Sequence, residues 1–111
     1  MQLPVQIQFR DTEPSPALEA NVRDRVAKLE QFAQNLMSCR VVVALEQKHQ
    51  HQGRPFAVNI DVTMPGHELR VDKVRHEDAY VAVRDAFDAM TRQLEDTVRR
   101  EGDAVRRPRG A

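Results

Sequence analysis

Apolar positions along the chain recur with two periods, and the element changes where the period changes. "LPVQIQF" sets Val5, Ile7 and Phe9 against Gln6 and Gln8, the period-two pattern of a half-buried strand. "DTEPSP" interrupts it, and Ser15-Pro16 offers an N-cap hydroxyl followed by proline at the first helical position, where a missing N–H costs nothing. Leu18, Val22, Val26, Leu29, Ala33 and Leu36 then repeat at helical spacing and predict one helix through about Leu36. "RVVVALEQK", from Arg40, is β-branched, with Val41, Val43 and Leu45 on one face, and predicts a strand in the sheet interior. After the polar loop "HQHQGR", the run "PFAVNIDVTM" alternates Phe56, Val58, Ile60, Val62 and Met64 without a break. Pro65-Gly66 suits the central positions of a type II turn, and "HELRVDKV" follows as a fourth strand with Leu69 and Val71 in phase. Residues 75–100 carry Tyr80, Val83, Phe87, Met90, Leu94 and Val98 as the stripe of a second helix, which assigns Tyr80 to the core.

The order is therefore β-α-β-β-β-α. Strands that alternate apolar and polar need cover on one face only, and two one-striped helices supply it. The expected fold is an α+β two-layer sandwich, a four-stranded sheet with two helices on one face. Its first two strands should be parallel if adjacent, because a helical crossover joins them. Residues 1–101 are expected to form one domain. Residues 102–111, "GDAVRRPRGA", have no apolar periodicity and include Pro108 and two glycines, so a disordered basic tail is expected there.

Composition narrows the chemistry. A chain of 111 residues can bury one core without a metal or disulfide staple, and its sole cysteine, Cys39, has no internal partner. No apolar run reaches the roughly 18 residues of a membrane span, and the start of the chain lacks the features of a secretory signal. A cytoplasmic protein with no membrane contact is expected. Seventeen basic residues balance seventeen acidic ones, so overall charge alone does not draw this chain to nucleic acid. Any anionic partner must be met by local patches.

His49 and His51 are two apart, but no C-x-x-C or H-E-x-x-H spacing completes a metal site. No glycine-rich phosphate loop, serine elbow or spaced carboxylate pair can be named either. The chain is accordingly expected to be no enzyme, with no catalytic residue, no metal, no cofactor and no small-molecule substrate. His76-Glu77-Asp78 reads as the start of a helix, where acidic residues are favoured by the helix dipole. The helix surfaces say more. Asn21, Arg25 and Lys28 lie along one flank of the first apolar stripe, next to Phe32, and form a small basic ridge. On the second helix Arg84, Asp88 and Arg92 are spaced by four and Glu95 and Arg99 continue the ribbon, which predicts partial neutralisation by i,i+4 pairs.

Three separated segments, "VRDRVAKLEQF" (22–32), "RHEDAYVAV" (75–83) and "RQLEDTVRR" (92–100), resemble the family of ribosome hibernation-promoting factor and ribosome-associated inhibitor A, also known as sigma-54 modulation proteins, in its short form. The resemblance implies a fold similar to the double-stranded-RNA-binding domain. It also implies a non-catalytic role in ribosome hibernation and translation regulation, under stress or in stationary phase. The implied partners are the small ribosomal subunit and its rRNA, with the mRNA and tRNA path blocked by occupancy. No ribosome-dimerisation domain is expected in residues 1–111. Carried over by position, Arg25 and Lys28 match basic residues of the first-helix motif, Arg75 the basic residue before His-Glu-Asp, and Arg92 the R-Q-L arginine. The expected RNA-binding set is Arg25, Lys28, Arg75, Arg84, Arg92 and Arg99, with Arg106, Arg107 and Arg109 of the tail. Ala89, Glu95 and Asp96 stand where the family usually has lysines, so the second helix is acidic. That departure supports an alternative, a divergent non-ribosomal protein-interaction module of the same fold that uses its acidic second helix.

Overall fold

Each alternating run becomes a strand of a single sheet: β1 (Val5–Arg10), β2 (Ser38–Leu45), β3 (Phe56–Met64) and β4 (His67–His76). The computed structural model describes residues 3–46 and 54–106, with side chains as far as residue 100. The strand order is β1-β2-β3-β4. β1 and β2 are parallel and the other two pairs antiparallel, so β1, β2 and β4 point the same way and both helices start from one edge of the sheet. The expected β-α-β-β-β-α sandwich is the observed architecture.

Between β1 and β2 runs α1 (Pro16–Phe32). The Ser15 hydroxyl accepts the Leu18 N–H at 3.2 Å and Pro16 opens the first turn, the start that the Ser-Pro pair predicts. The helix ends at Phe32, four residues before Leu36, because Ala33 takes an extended conformation and caps the end by donating its N–H to the Leu29 carbonyl. Leu36 reaches the core from the loop beyond. The tight link between β3 and β4 has Gly66 at φ 80, the left-handed value that the third position of a type II turn requires.

β4 departs from simple alternation. Val71 pairs with Ile60 but Val74 pairs with Val58, so Asp72 and Lys73 together oppose Asn59 in a bulge. The extra residue lets Val71 and Val74 both face the helices, and it explains why period two alone stops at Val71. β4 runs on through Arg75 and His76, which were expected in the second helix. α2 (Ala79–Arg106) starts three residues later, where the Asp78 carboxylate accepts the Tyr80 N–H at 2.9 Å. An Asp side chain that satisfies an otherwise unpaired N–H fixes that start.

The far end of α2 differs as well. The helix continues to Arg106, past the boundary expected at Gly102. One internal glycine costs only about 1 kcal/mol relative to alanine, whereas extending an existing helix adds a hydrogen bond per residue, so Gly102 does not stop it. Residues 107–111 lie outside the described residues. A helix of 28 residues is about 42 Å long and a ten-residue strand such as β4 about 33 Å, so α2 overhangs the sheet.

The core is the helix-facing side of the sheet, with Val41, Val43, Val58, Ile60 and Met64 against Val22, Val26, Val83, Phe87, Met90 and Leu94. Tyr80 is not part of it: the residue is 44 % exposed. At 100° per residue it sits about 80° from the centre of the buried stripe formed by Ala82, Val83, Ala86, Phe87, Met90 and Leu94, so its ring goes to the flank. Val98, 39 % exposed, shares that flank. Truncating Met90, which has no exposed surface, to alanine should lower the unfolding free energy by about 2–5 kcal/mol, and Tyr80→Ala by less than about 1 kcal/mol. Urea unfolding of the two variants checks this, and comparable losses would put the tyrosine ring in the core.

Candidate nucleic-acid interface

The side chain of Gln93 fixes how α2 is rotated. Its Nε2 donates to the Arg70 carbonyl on β4 at 2.9 Å, so the Gln93 flank faces the outer edge of the sheet and the opposite flank, with Tyr80, Arg84, Thr91 and Val98, faces α1. The two helices run parallel, and the matching flank of α1 carries Asn21, Arg25, Lys28 and Phe32. The basic ridge read from the first helix thus borders an interhelical groove that also presents an aromatic ring at each end.

Each cation has a definite environment. Arg25 is half-buried, and its Nε donates to the Asn21 carboxamide at 3.0 Å. Lys28 is exposed and makes no ion pair among the described residues. Arg84 was expected to pair one turn away with Asp88, but both its Nε and Nη2 reach the adjacent Asp85, at 3.2 and 3.1 Å. Arg99 pairs three residues back with Asp96 at 3.1 Å, and Arg100 takes the other oxygen of the same carboxylate at 2.7 Å. The expected ribbon is therefore re-paired on Asp85 and Asp96, and the i,i+4 pair that does form on this helix, Arg100–Asp96, lies outside the expected set. Pairs this exposed hold their geometry weakly, so the nearest carboxylate wins. Arg92 makes no ion pair among the described residues and borders an open recess with Gln93, Glu95, Asp96 and Arg99.

Arg75 lies elsewhere. As a strand residue paired with Ala57 it points to the face of the sheet away from the helices, where its Nε meets the Glu46 carboxylate at 2.7 Å. A hydrogen bond to that carboxylate, and then its charge, raise the Arg75 pKa above the ordinary guanidinium value. Arg25, Lys28, Arg84, Arg92 and Arg99 thus share the helix layer and Arg75 does not. Arg106 ends α2, and Arg107 and Arg109 lie outside the described residues. Helix-based reading passed over the strand cations Arg10, Arg40, Arg70 and Lys73. The signal was present for Arg10, Arg40 and Arg70, which stand out of phase with the apolar alternation of their strands, whereas Lys73 is in phase with Leu69 and Val71 and is turned outward only by the bulge.

Cys39 lies apart from this surface. The Cys39 thiol is buried in the core, and burial first, then the negative charges of Asp61 and Glu30, push its pKa up to about 12. Among the described residues no three His, Cys, Asp or Glu side chains are grouped to hold a metal ion, and His49 and His51 lie outside those residues. Among the described residues no helix is long and apolar enough to cross a membrane.

Residues 5–101 match the family described as sigma 54 modulation protein / S30EA ribosomal protein. The chain belongs to this family. Solved structures share the fold of this S30EA family member. A ribosomal subunit interface protein from Coxiella burnetii superposes with a TM-score of 0.74 at 15% identity, over 86% of this chain and 97% of that one. The N-terminal domain of Thermus thermophilus Protein Y gives a TM-score of 0.70 at 24% identity, over 87% and 99%.

The perturbed thiol yields a direct test. In the folded protein Cys39 should not react with a thiol reagent at pH 8, and denaturant should release full reactivity, because the nucleophile is the thiolate. The raised pKa also sets a sign. The folded state holds its proton where the unfolded thiol has lost it, so this contribution to stability is complete below about pH 9 and is lost as the pH rises toward about 12. Prompt labelling of the native protein at pH 8 would contradict both expectations.

Proposed function

We propose that this S30EA family member is a ribosome hibernation factor that binds the small ribosomal subunit through rRNA and occludes the mRNA and tRNA path under stress or in stationary phase. Occupancy suffices for such inhibition, and no reaction is required. The observation that carries the reading is the family match over residues 5–101, on a fold shared with a protein named for the ribosomal subunit interface. The interhelical groove is the first surface to assign to rRNA. Arg25, Lys28 and Arg84 line it, and Arg92 and Arg99 stand on the solvent side of α2. Arginine suits this task because its planar fork can grip a phosphate with two hydrogen bonds. Arg106 at the end of α2, and Arg107 and Arg109 in the sequence that follows it, add three more cations to this proposed set.

Sucrose-gradient sedimentation of tagged protein from growing and starved cells tests the reading. Co-migration with small subunits or whole ribosomes on starvation is the expected result. Confinement to the top of the gradient would favour the protein-interaction alternative built on the acidic carboxylates of α2.

Reversal of the ridge by Arg25→Glu with Lys28→Glu should weaken ribosome association and lower its salt slope by about two, since each lost phosphate contact removes about one. Stability should change by no more than about 0.5 kcal/mol for the exposed Lys28. Unaltered binding across a salt titration removes the ridge from the site.

Removal of residues 107–111, cut where the described helix ends, should leave the unfolding midpoint in place and reduce ribosome affinity most at low salt. Equal sedimentation of full and shortened chains at every salt concentration would remove Arg107 and Arg109 from the binding set.

A further inference from the structure

The face of the sheet away from the helices is built from the positions that the apolar alternation leaves out, and its register sorts them into rows. Nearest the edge where both helices begin, Arg10, Ala44, Ala57 and Arg75 lie side by side across the four strands. Gln8, Val42 and Asn59 form the next row, which the bulge completes with Asp72 and Lys73. Gln6, Arg40, Asp61 and Arg70 form the third. Two alanines, the 6 % exposed Val42 and the half-buried Asn59 make the middle of this face low. Arg10 and Arg75 stand at its sides, about 14 Å apart across three strand spacings.

Charge is unevenly divided between the two layers. The four strands carry five cations, Arg10, Arg40, Arg70, Lys73 and Arg75, against the carboxylates Asp61, Glu68 and Asp72. Up to residue 100, the two helices hold seven of each sign. Within the sheet face, Arg70 is held between Asp61 and Asp72 at 3.6 and 3.7 Å. Among the described residues Arg40 is bonded only to the neutral Gln8 carboxamide, at 3.2 Å. Arg10 and Lys73 make no ion pair among the described residues. Arg75 has Glu46, and Arg54 beside it donates to the Glu46 carbonyl at 3.0 Å.

We propose that this open sheet face is a second RNA-contacting surface, so that the domain is held between two RNA segments, one against the interhelical groove and one against the trough between Arg10 and Arg40 on one side and Lys73 and Arg75 on the other. The proposal rests on the ribosomal reading above and extends it to the opposite side of the molecule. A polyanion fits the face better than a protein does. Among the described residues the exposed large apolar side chains, Phe32, Met37, Tyr80 and Val98, all lie elsewhere, and a protein interface needs buried aromatic or aliphatic anchors at its centre. The trough instead offers cations for phosphates and the carboxamides of Gln6, Gln8 and Asn59 for ribose hydroxyls and base edges.

Purified full-length protein carrying Arg40→Glu with Lys73→Glu is compared with wild type and with Arg25→Glu, Lys28→Glu, for binding to small ribosomal subunits and to poly(U) and a 20-base-pair RNA duplex, over a range of salt. The expected result for the sheet variant is a loss of roughly tenfold or more in ribosome affinity at 0.15 M salt and a salt slope lower by about two, with the losses of the two double variants adding when combined. Thermal unfolding controls for folding, and Arg40→Gln with Lys73→Gln replaces the reversal if that variant is unstable. Wild-type affinity and slope for the sheet variant, beside a defective helix variant, would overturn the sheet surface and leave the ribosomal reading intact. If wild type binds the RNA probes but not ribosomes, the ribosomal reading fails, and the sheet variant's loss of RNA binding still supports this face. Loss on ribosomes with unchanged binding to both RNA probes would assign the face to a ribosomal protein and overturn the proposal, as would a wild type that binds neither.

Discussion

Burial of one sheet face under two helices is the constraint on which the other features depend. β3 pairs on both sides and presents Val58, Ile60, Val62 and Met64 to the helices. A slip of one residue in either pairing would turn that whole set toward water, so the register is tightly specified. Once it is set, every out-of-phase residue of every strand must stand on the other face. Arg10, Arg40, Arg70 and Arg75 are placed there by the core packing of their neighbours, without any contact of their own having to select the position.

The bulge in β4 serves the same constraint. It brings Val74 back into phase and leaves Asp72 and Lys73 out in solvent at an outer strand. Bulges and exposed lysines are features that discourage a sheet edge from pairing with another chain. Gln93 covers the same edge by taking the Arg70 carbonyl. The rotation of α2 is fixed through that bond as well, which turns Tyr80 and Arg84 toward α1. Core register, edge protection and the composition of the groove are therefore linked through β4.

What the sequence reveals follows the range of the interactions concerned. Strand alternation, the Ser15-Pro16 start and the Pro65-Gly66 turn are local, and each is found where the pattern puts it. The end of α1 and the start of α2 are less legible, because Ala33 and His76 fit either neighbouring element and only the packing decides. Tyr80 falls at the margin of an apolar stripe, where spacing alone does not say which side of the margin faces the sheet. The ion pairs are the least legible. Arg75 meets Glu46 across the sheet, a partner 29 residues away, and Arg84 prefers Asp85 to the Asp88 that helical spacing favours. Membership of the S30EA family was legible in three short segments, whereas the layer occupied by each cation was not.

A chain with no net charge can still meet a polyanion when its pairs are cheap to exchange. The Arg75–Glu46, Arg84–Asp85 and Arg99–Asp96 bridges all leave the arginine side chain more than half exposed. Pairs of that kind contribute about 0–1 kcal/mol each. A phosphate that offers two acceptor oxygens to the same guanidinium competes with them at little loss of protein stability. On the proposed RNA reading the carboxylates would act as a threshold: they lower the pull on any isolated anion and yield to a dense array of phosphates, whose condensed counterions are released on contact. On that reading such a surface would discriminate by phosphate density. Arg40, bonded to a neutral carboxamide, and Lys28 and Arg92 have no ion pair among the described residues, so on the proposed reading they should engage first and the paired arginines afterwards.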